Sequence, residues 1–445
     1  MVHAYSALGV NIAVDVESGA VHVLDELMLS VIKALGENGD RSRQEVRSSL
    51  SHISDSEFEE AWNEISELRD KGELFAPAQE YDASLPYDPP VKALCLHVAH
   101  DCNLRCKYCF ASTGDFGTGR RRMDFEMAKK AVDFVVSKSG DRRNIEIDFF
   151  GGEPLMAMDT IKKTVDYARE QGRLHGKNFR FTITTNGVLL SDENIDYINR
   201  EMDNVVMSLD GRPEVNDRNR KTAAGGGSYE LIVPKFKKLL SDRDGKDYYI
   251  RGTFTRENLD FCADVLHIVS EGFNSISVEP VIASPDSPYS IRESDLPLIF
   301  EEYDKLAQVM AEDDSFSFFH FNIDLEQGPC VIKRIRGCGA GCEYVAVTPE
   351  GDIYPCHQFV GKEEYKMGSV HDGSFDLKKS ERFSGYNLYS REGCEKCWAK
   401  FYCSGGCSAS NLMAEGNIKK PNHIACQMER KRIECAIALK ALKSV

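Results

Sequence analysis

The chain has 445 residues, about three times a typical single domain, so two or three structural units are expected. Its 42% hydrophobic and 28% charged content excludes a disordered polymer. With 71 acidic against 55 basic side chains, a net charge of -16 argues against nucleic acid or an anionic membrane as the main partner.

No run reaches the roughly 18 apolar residues of a spanning helix. Residues 1–20, with Asp15 and Glu17, lack the basic start and apolar run of a signal peptide, so a cytoplasmic protein is expected. Residues 1–80 read as a separate module. Ile12, Val14 and Val16 alternate with Asn11, Ala13 and Asp15, and Glu17-Ser18-Gly19 turns the chain into Val21 and Val23, a hairpin pattern. Leu24, Leu27, Met28, Val31, Ile32 and Leu35 then recur at helical spacing before a Gly36 stop. Ser54 and Glu57 form a capping box ahead of Phe58, Ala61, Trp62, Ile65 and Leu68. With three helices and a short strand at Leu74-Phe75, the pattern predicts a winged-helix-like unit whose acidic composition disfavours DNA. Pro77, Pro86, Pro89 and Pro90 mark a linker, drawn at 81–90.

Across 91–310, strand-like runs at 91–98, 144–150, 179–185, 204–209, 248–254 and 275–282 alternate with helix-compatible segments such as 124–137, 159–171 and 229–240. Six βα repeats predict an α/β fold with a parallel sheet closed fully or partly into a barrel, its functional loops at the strand C-terminal ends. A bridging segment at 311–337 leads into a loop-rich region, 338–445, ending in a helix near 424–442.

Fifteen cysteines, an odd number, are many for a cytosolic chain, and their clustering points to metal or redox chemistry rather than disulfides. Cys102, Cys106 and Cys109 fall on the loop after the first barrel strand. Three thiolates so close together can hold three irons of a four-iron, four-sulfur cube and leave the fourth open, as a catalytic metal requires. A zinc loop with a fourth ligand elsewhere, such as His100, is the alternative. The second group reads Cys338-x12-Gly351-x4-Cys356, then Cys394-x2-Cys397-x5-Cys403-x3-Cys407 and finally Cys426. Zinc is the alternative here too, because Cys-x2-Cys pairs are common zinc ligands.

Cys102, Cys106, Tyr108 and Cys109, placed after strand one of a six-fold βα barrel, resemble the radical S-adenosylmethionine (SAM) signature. The resemblance implies a partial (β/α)6 radical SAM barrel in which the open iron chelates SAM, and one-electron cleavage gives methionine and a 5′-deoxyadenosyl radical. Gly151-Gly152-Glu153-Pro154 follows in the expected place; its glycines permit close backbone approach, and Glu153 is the implied acceptor for the SAM ammonium. Thr184-Thr185-Asn186-Gly187 and Ser208-Leu209-Asp210-Gly211 end strands three and four, with Asn186 and Ser208 as implied SAM contacts. Arg220 is the implied carboxylate ligand, and Tyr108 is placed near the adenine. The bland alternatives are ordinary turns for the Asn-Gly and Asp-Gly pairs, a surface role for Arg220 and core packing for Tyr108.

The second cysteine group matches the seven-cysteine SPASM pattern at every spacing. The resemblance implies that Cys394, Cys397, Cys403 and Cys426 close one auxiliary 4Fe-4S cluster while Cys338, Cys356 and Cys407 hold another, three clusters in all. Cys342 either closes the latter, as in sulfatase-maturing relatives, or stands aside and leaves an iron open to a substrate thiol; the open site is the expectation adopted. Cys95, Cys262, Cys330 and Cys435 read as plain thiols. His357 and His423 sit beside ligands without an implied role.

Cys106-Lys107-Tyr108-Cys109-Phe110-Ala111-Ser112, Ala346-Val347-Thr348-Pro349-Glu350-Gly351-Asp352 and Tyr354-Pro355-Cys356-His357-Gln358-Phe359-Val360-Gly361 are similar to the SCIFF maturases, whose substrates carry six cysteines in forty-five residues. That resemblance implies a Cys-rich ribosomal precursor whose leader adds a strand to the sheet within residues 1–80. It implies a thioether formed between a Cys sulfur and a carbon radical, with the released electron passing to an auxiliary cluster. A flavodoxin or ferredoxin is the expected electron donor. A sulfatase maturase making formylglycine and a non-catalytic iron–sulfur electron carrier are the alternatives. The sequence singles out no general base.

Overall fold

The computed structural model describes residues 1–78, 89–325 and 335–444. Strands β1 (Val2–Ala7), β2 (Val10–Asp15) and β3 (Val21–Leu24) form an antiparallel sheet in that order, with Ile12 opposite Val23 and Val14 opposite Val21. β1, absent from the sequence pattern, is returned by Leu8 (φ 52°) and Gly9 (φ 78°), two successive left-handed residues of the kind a tight hairpin needs.

Helix α1 (Glu26–Leu35) is capped by Asp25, and Gly36 (φ 81°) stops it. Ser42 with Glu45 starts α2 (Arg43–Ser49), and Ser54 with Glu57 starts α3 (Asp55–Asp70), each through a capping box. The expected strand at Leu74-Phe75 does not form. Leu74 instead turns inward as a fully buried residue, its N–H and that of Glu73 donating to the Leu68 carbonyl to close the end of α3. Phe75 adopts φ 52° beneath Arg69, which breaks any extended run.

One face of the small sheet joins α1 and α3 in a core with Val31, Ile32, Phe58 and Ile65. The other face, Tyr5, Ile12 and Val14, packs on Ile433, Ile437 and Ala438 of the long final helix His423–Ser444. The module is therefore seated on the body of the protein.

The body is built on one 12-stranded sheet. In chain order the remaining strands are β4 (Ala93–His100), β5 (Leu104–Cys106), β6 (Arg121–Arg122), β7 (Asn144–Gly151), β8 (Asn178–Thr185), β9 (Asn204–Ser208), β10 (Arg220–Thr222), β11 (Asp247–Phe254), β12 (Ser275–Pro280), β13 (Ser317–Phe318), β14 (Tyr344–Val347), β15 (Asp352–Tyr354), β16 (Gly368–Ser369) and β17 (Ser374–Phe375). β4, β7, β8, β9, β11 and β12 run parallel and adjacent, the six-strand arc of a partial barrel, with helices such as Phe125–Lys138, Met158–His175 and Tyr229–Ser241 between them. Ile147, Phe149, Phe181, Ile183, Val205 and Met207 turn outward to those helices and are fully buried.

The sheet does not end at the barrel. β14 pairs parallel with β4, placing Ala346 beside Cys95, and β15, β16 and β17 continue antiparallel beyond it. Part of the predicted linker and of the bridging segment, residues 79–88 and 326–334 including Cys330, lies outside the described residues. Among the described residues no helix is long and apolar enough to cross a membrane.

Candidate functional site

The loop after β4 carries Cys102, Cys106 and Cys109, and the three thiols line a single cavity of about 300 Å³. Two glycines let the next strand end against that loop. Gly152 N–H donates to Ala99 O and Glu153 N–H to Asp101 O, both at 2.8 Å. A Cβ on Gly152 would run into the Asp101 carbonyl, and one on Gly151 into the Ala99 carbonyl. β10 pairs antiparallel with β5, setting Arg220 directly opposite Cys106.

Tyr108, Gly151, Gly152, Glu153, Asn186, Ser208 and Arg220 all line this cavity with the three thiols. Pro154 is buried just behind it, opening the short helical turn Pro154–Ala157. Glu153, 1% exposed, accepts from Thr185 Oγ1 at 2.7 Å, Asn186 N–H at 2.8 Å and Leu155 N–H at 3.1 Å. Burial nevertheless pushes its carboxyl up to about 6. Asn186 Nδ2 donates to Asn103 Oδ1 at 2.8 Å and approaches Cys102 Sγ at 3.6 Å.

Tyr108 is neither simple core packing nor free to turn. Its hydroxyl donates to Asp210 at 2.6 Å and accepts from Arg220 Nη1 at 3.2 Å. Asp210, fully buried, was not singled out from the sequence, where its Asp-Gly context reads as a turn. Arg220 is buried too, and its Nε has no partner, nor has Asn103 Nδ2. The orphaned donor of Arg220, on the thiol-lined cavity, fits an incoming anionic ligand such as an amino-acid carboxylate.

His100 is not a spare ligand for this loop: its Nδ1 bonds Thr118 Oγ1 at 2.8 Å and its Nε2 bonds His97 Nδ1 at 3.1 Å. Burial raises Cys102 to about 12 and Cys106 to about 11, so neither thiol ionises readily without a cation beside it. Asp148 and Arg251 line the same cavity, with Glu279 and His357. Burial lifts the Asp148 carboxyl to about 7; Thr184 Oγ1 donates to it at 3.5 Å, and Arg251 works against the rise. His357 is lowered to about 4 by burial and contacts Tyr344 OH at 3.3 Å.

The second cysteine group divides in two. Cys394, Cys397, Cys403 and Cys426 together line a cavity of about 380 Å³, with His423 and Arg430. Cys356 is pushed up by burial and then by the charges of Cys407 and Cys338, which places these three thiols together. Cys342 lies beside Cys338, but its thiol donates to Gly339 O at 3.3 Å, and it lines a separate cavity with Pro90, Lys138 and Phe375. Arg391, 4% exposed, feels Cys394, Cys407, Cys403 and Cys338 at once and so lies between the two sets. Arg391 and Arg430 stand beside the clustered thiols, and no spacing rule pointed to them. Cys95 and Cys435 are fully buried and Cys262 nearly so, as plain thiols should be. Among the described residues no three metal-binding side chains converge on a point that a single ion could occupy; the thiols ring cavities several hundred Å³ in volume.

The family model of the radical SAM superfamily matches residues 96–242, and that of the SPASM iron-sulfur cluster-binding domain matches 338–398. A protein of Methanocaldococcus jannaschii is 32% identical over 312 residues, covering 70% of this chain and 99% of the relative. The chain belongs to the radical SAM superfamily. The radical SAM and SPASM domains imply 4Fe-4S clusters and SAM, and the thiol-lined cavities of this radical SAM protein present a donor set that fits them. A cysteine-type anaerobic sulfatase-maturating enzyme of Clostridium perfringens is 23% identical, covering 78% of this chain and 96% of the enzyme. The fold is shared with Streptococcus suis SuiB: the SAM-bound structure gives a TM-score of 0.56 at 14% identity over 95% of this chain and 98% of SuiB. SuiB bound to its precursor peptide SuiA gives 0.54 at 15%, over 93% and 96%. This radical SAM chain thus resembles peptide- and protein-modifying maturases.

Proposed function

We propose that the protein is a radical SAM maturase that forms a thioether between a Cys sulfur and a carbon of an acceptor residue in a Cys-rich ribosomal peptide. The observation that carries this reading is the N-terminal sheet: among the described residues β3 is paired on one side only, leaving an edge to which a leader strand can add. The likeness to SuiB, solved with a precursor peptide, supports it.

In this reading Cys102, Cys106 and Cys109 hold the SAM cluster. Cys394, Cys397, Cys403 and Cys426 hold one auxiliary cluster, and Cys338, Cys356 and Cys407 the other, with Cys342 standing aside. Bound there, the three clusters and SAM supply a 5′-deoxyadenosyl radical and a sink for the electron released on bond formation. Gly151 and Gly152 let the SAM-facing turn approach the cluster loop. Glu153 has one unshared acceptor position left for the SAM ammonium. Arg220 Nε, with Asn186 and Ser208, takes the carboxylate and ribose, and Tyr108 is braced by Asp210 beside the adenine. Asp148, near 7 and on the wall of the same cavity, accepts the proton of the substrate thiol. A flavodoxin or ferredoxin supplies the reducing electron.

Oxidation of a Cys or Ser to formylglycine is the second reading, favoured by the likeness to the sulfatase-maturating enzyme. Anaerobic reconstitution followed by incubation with SAM, dithionite and a six-cysteine precursor separates them by mass spectrometry. The proposal expects about twelve irons, 5′-deoxyadenosine, and loss of two hydrogens per crosslink with the thiol blocked to alkylation. A peptide aldehyde would establish the second reading, and 5′-deoxyadenosine with an unchanged peptide would remove this substrate class.

A further inference from the structure

The small N-terminal sheet meets the cysteine region through Trp398 and Lys400, which both fall between Cys397 and Cys403, and through Glu434 of the final helix, beyond Cys426. His3 of β1 lies flat on Trp398, with ring centroids 3.9 Å apart and planes inclined by 7°. The same imidazole meets Glu434 Oε1 through Nε2 at 2.9 Å, and Tyr5 OH donates to the Glu434 carbonyl at 3.0 Å. Glu17, in the turn between β2 and β3, pairs with Lys400 Nζ at 2.6 Å; the two side chains are only 5% and 8% exposed.

Trp398 and Lys400 belong to the tight turn that joins Cys397 to Cys403. Lys400 N–H donates to Cys397 O at 3.1 Å, and Cys403 N–H to Ala399 O at 2.9 Å. Lys400 also lines the cavity formed by Cys394, Cys397, Cys403 and Cys426, so Glu17 stands one side chain away from that site. Cys397 and Cys403 themselves pack against the apolar cluster made by Tyr5, Ile12, Val14, Ala399 and Ile437. This seven-residue turn is thus held from a different part of the chain through its own Trp398, Ala399 and Lys400.

We propose that His3 and Glu17 are positioning residues for the Cys394/Cys397/Cys403/Cys426 site: they hold Trp398 and Lys400, and through them the ligand-bearing turn, so the N-terminal module is a structural part of that auxiliary cluster. A buried ammonium that loses its carboxylate is a large local perturbation, because the remaining charge is left without compensation in a dry site. Linkage runs both ways: occupation of the cysteine site stabilises the docked module, and the docked module slows loss of the cluster. The proposal rests on reading these four cysteines as ligands of one cluster.

The test uses the reconstituted full-length enzyme. Glu17→Gln and His3→Ala are each compared with the parent for iron release to a chelator and for cluster reduction potentials by anaerobic titration. About four of about twelve irons should leave about tenfold faster or more. The potential of that one cluster should rise in Glu17→Gln, because a nearby negative charge has gone. Release within twofold of the parent with unmoved potentials overturns the proposal, and so does equal acceleration at every cluster, which marks general loss of stability. Cys397→Ala tests the underlying assignment separately. If it keeps all its iron, the cysteine reading fails; if it loses one cluster while the Glu17 and His3 variants behave like the parent, only the positioning role fails.

Discussion

Glu153→Gln tests the SAM contact proposed for this cavity. The side chain keeps its size, and the amide oxygen can retain the Thr185 hydroxyl and Leu155 N–H on one oxygen position. The amide nitrogen then faces Asn186 N–H, which now donates to the carboxylate at 2.8 Å, so donor meets donor. A hydrogen bond to a charged acceptor contributes about 1.5–3 kcal/mol, and a buried donor left unpaired costs about 1–3 kcal/mol. The Asn186 bond is present without SAM, so the affinity change comes from the charged acceptor lost to the SAM ammonium, where about 2 kcal/mol corresponds to about 30-fold. Asn186 also contacts Asn103 and Cys102, so its displacement reaches the thiol loop. SAM binding to the reconstituted enzyme should weaken about 30-fold or more with the iron count unchanged. A dissociation constant within threefold of the parent at full iron content would refute the reasoning.

Asp148 makes a pH-dependent prediction. Its folded value near 7 lies above the ordinary carboxyl value near 4, so the folded chain binds this proton more tightly than the unfolded one. The stability it contributes is complete below about pH 4 and is lost as pH rises through 7, about 2–3 kcal/mol of it between pH 5 and 8. Asp148→Asn should therefore gain stability relative to the parent at pH 8 compared with pH 5 in urea melts, and an equal offset at both pH values would contradict the assignment. Gly187→Ala should lower SAM affinity, because φ is +80° there and a Cβ would strike the Phe236 ring, displacing Asn186; unchanged binding would show that the turn yields freely. Cys342→Ala should keep all its iron, since its thiol is turned to Gly339, whereas loss of about four irons would make it a ligand.

What could be read from the residues was whatever a short spacing rule encodes. The cysteine loop, Gly151-Gly152 and the six alternating strands fall within a residue or two of their expected places, because each is dictated by local chemistry or by period-two burial. Long-range partners were hidden. Nothing near Asp210 announces Tyr108, 102 positions away, and nothing around Arg391 announces thiolates on both sides of it. Leu74-Phe75 misled because two apolar residues look the same closing a helix as entering a strand. Residues 1–80 looked detachable in sequence; in the fold Tyr5, Ile12 and Val14 share a core with Ile433 and Ile437, so point variants are a better probe of the module than its deletion.

The pairing of β14 with β4 makes the spacing of the cysteine groups a matter of ruler rather than hinge. Cys102 lies two residues beyond the C-terminal end of β4, whereas the charge of Cys356 is felt by Cys95 near the start of the same strand. The interval between the two groups is therefore set by the register of β14 against β4, and it is short: His357, next to Cys356, lines the same cavity as Cys102, Cys106 and Cys109. No linker can absorb a change in that interval. One residue inserted into β4 would shift that register by a single step and also turn every later side chain to the opposite face. The placement of the two cysteine groups relative to each other is thus built into the backbone of the sheet.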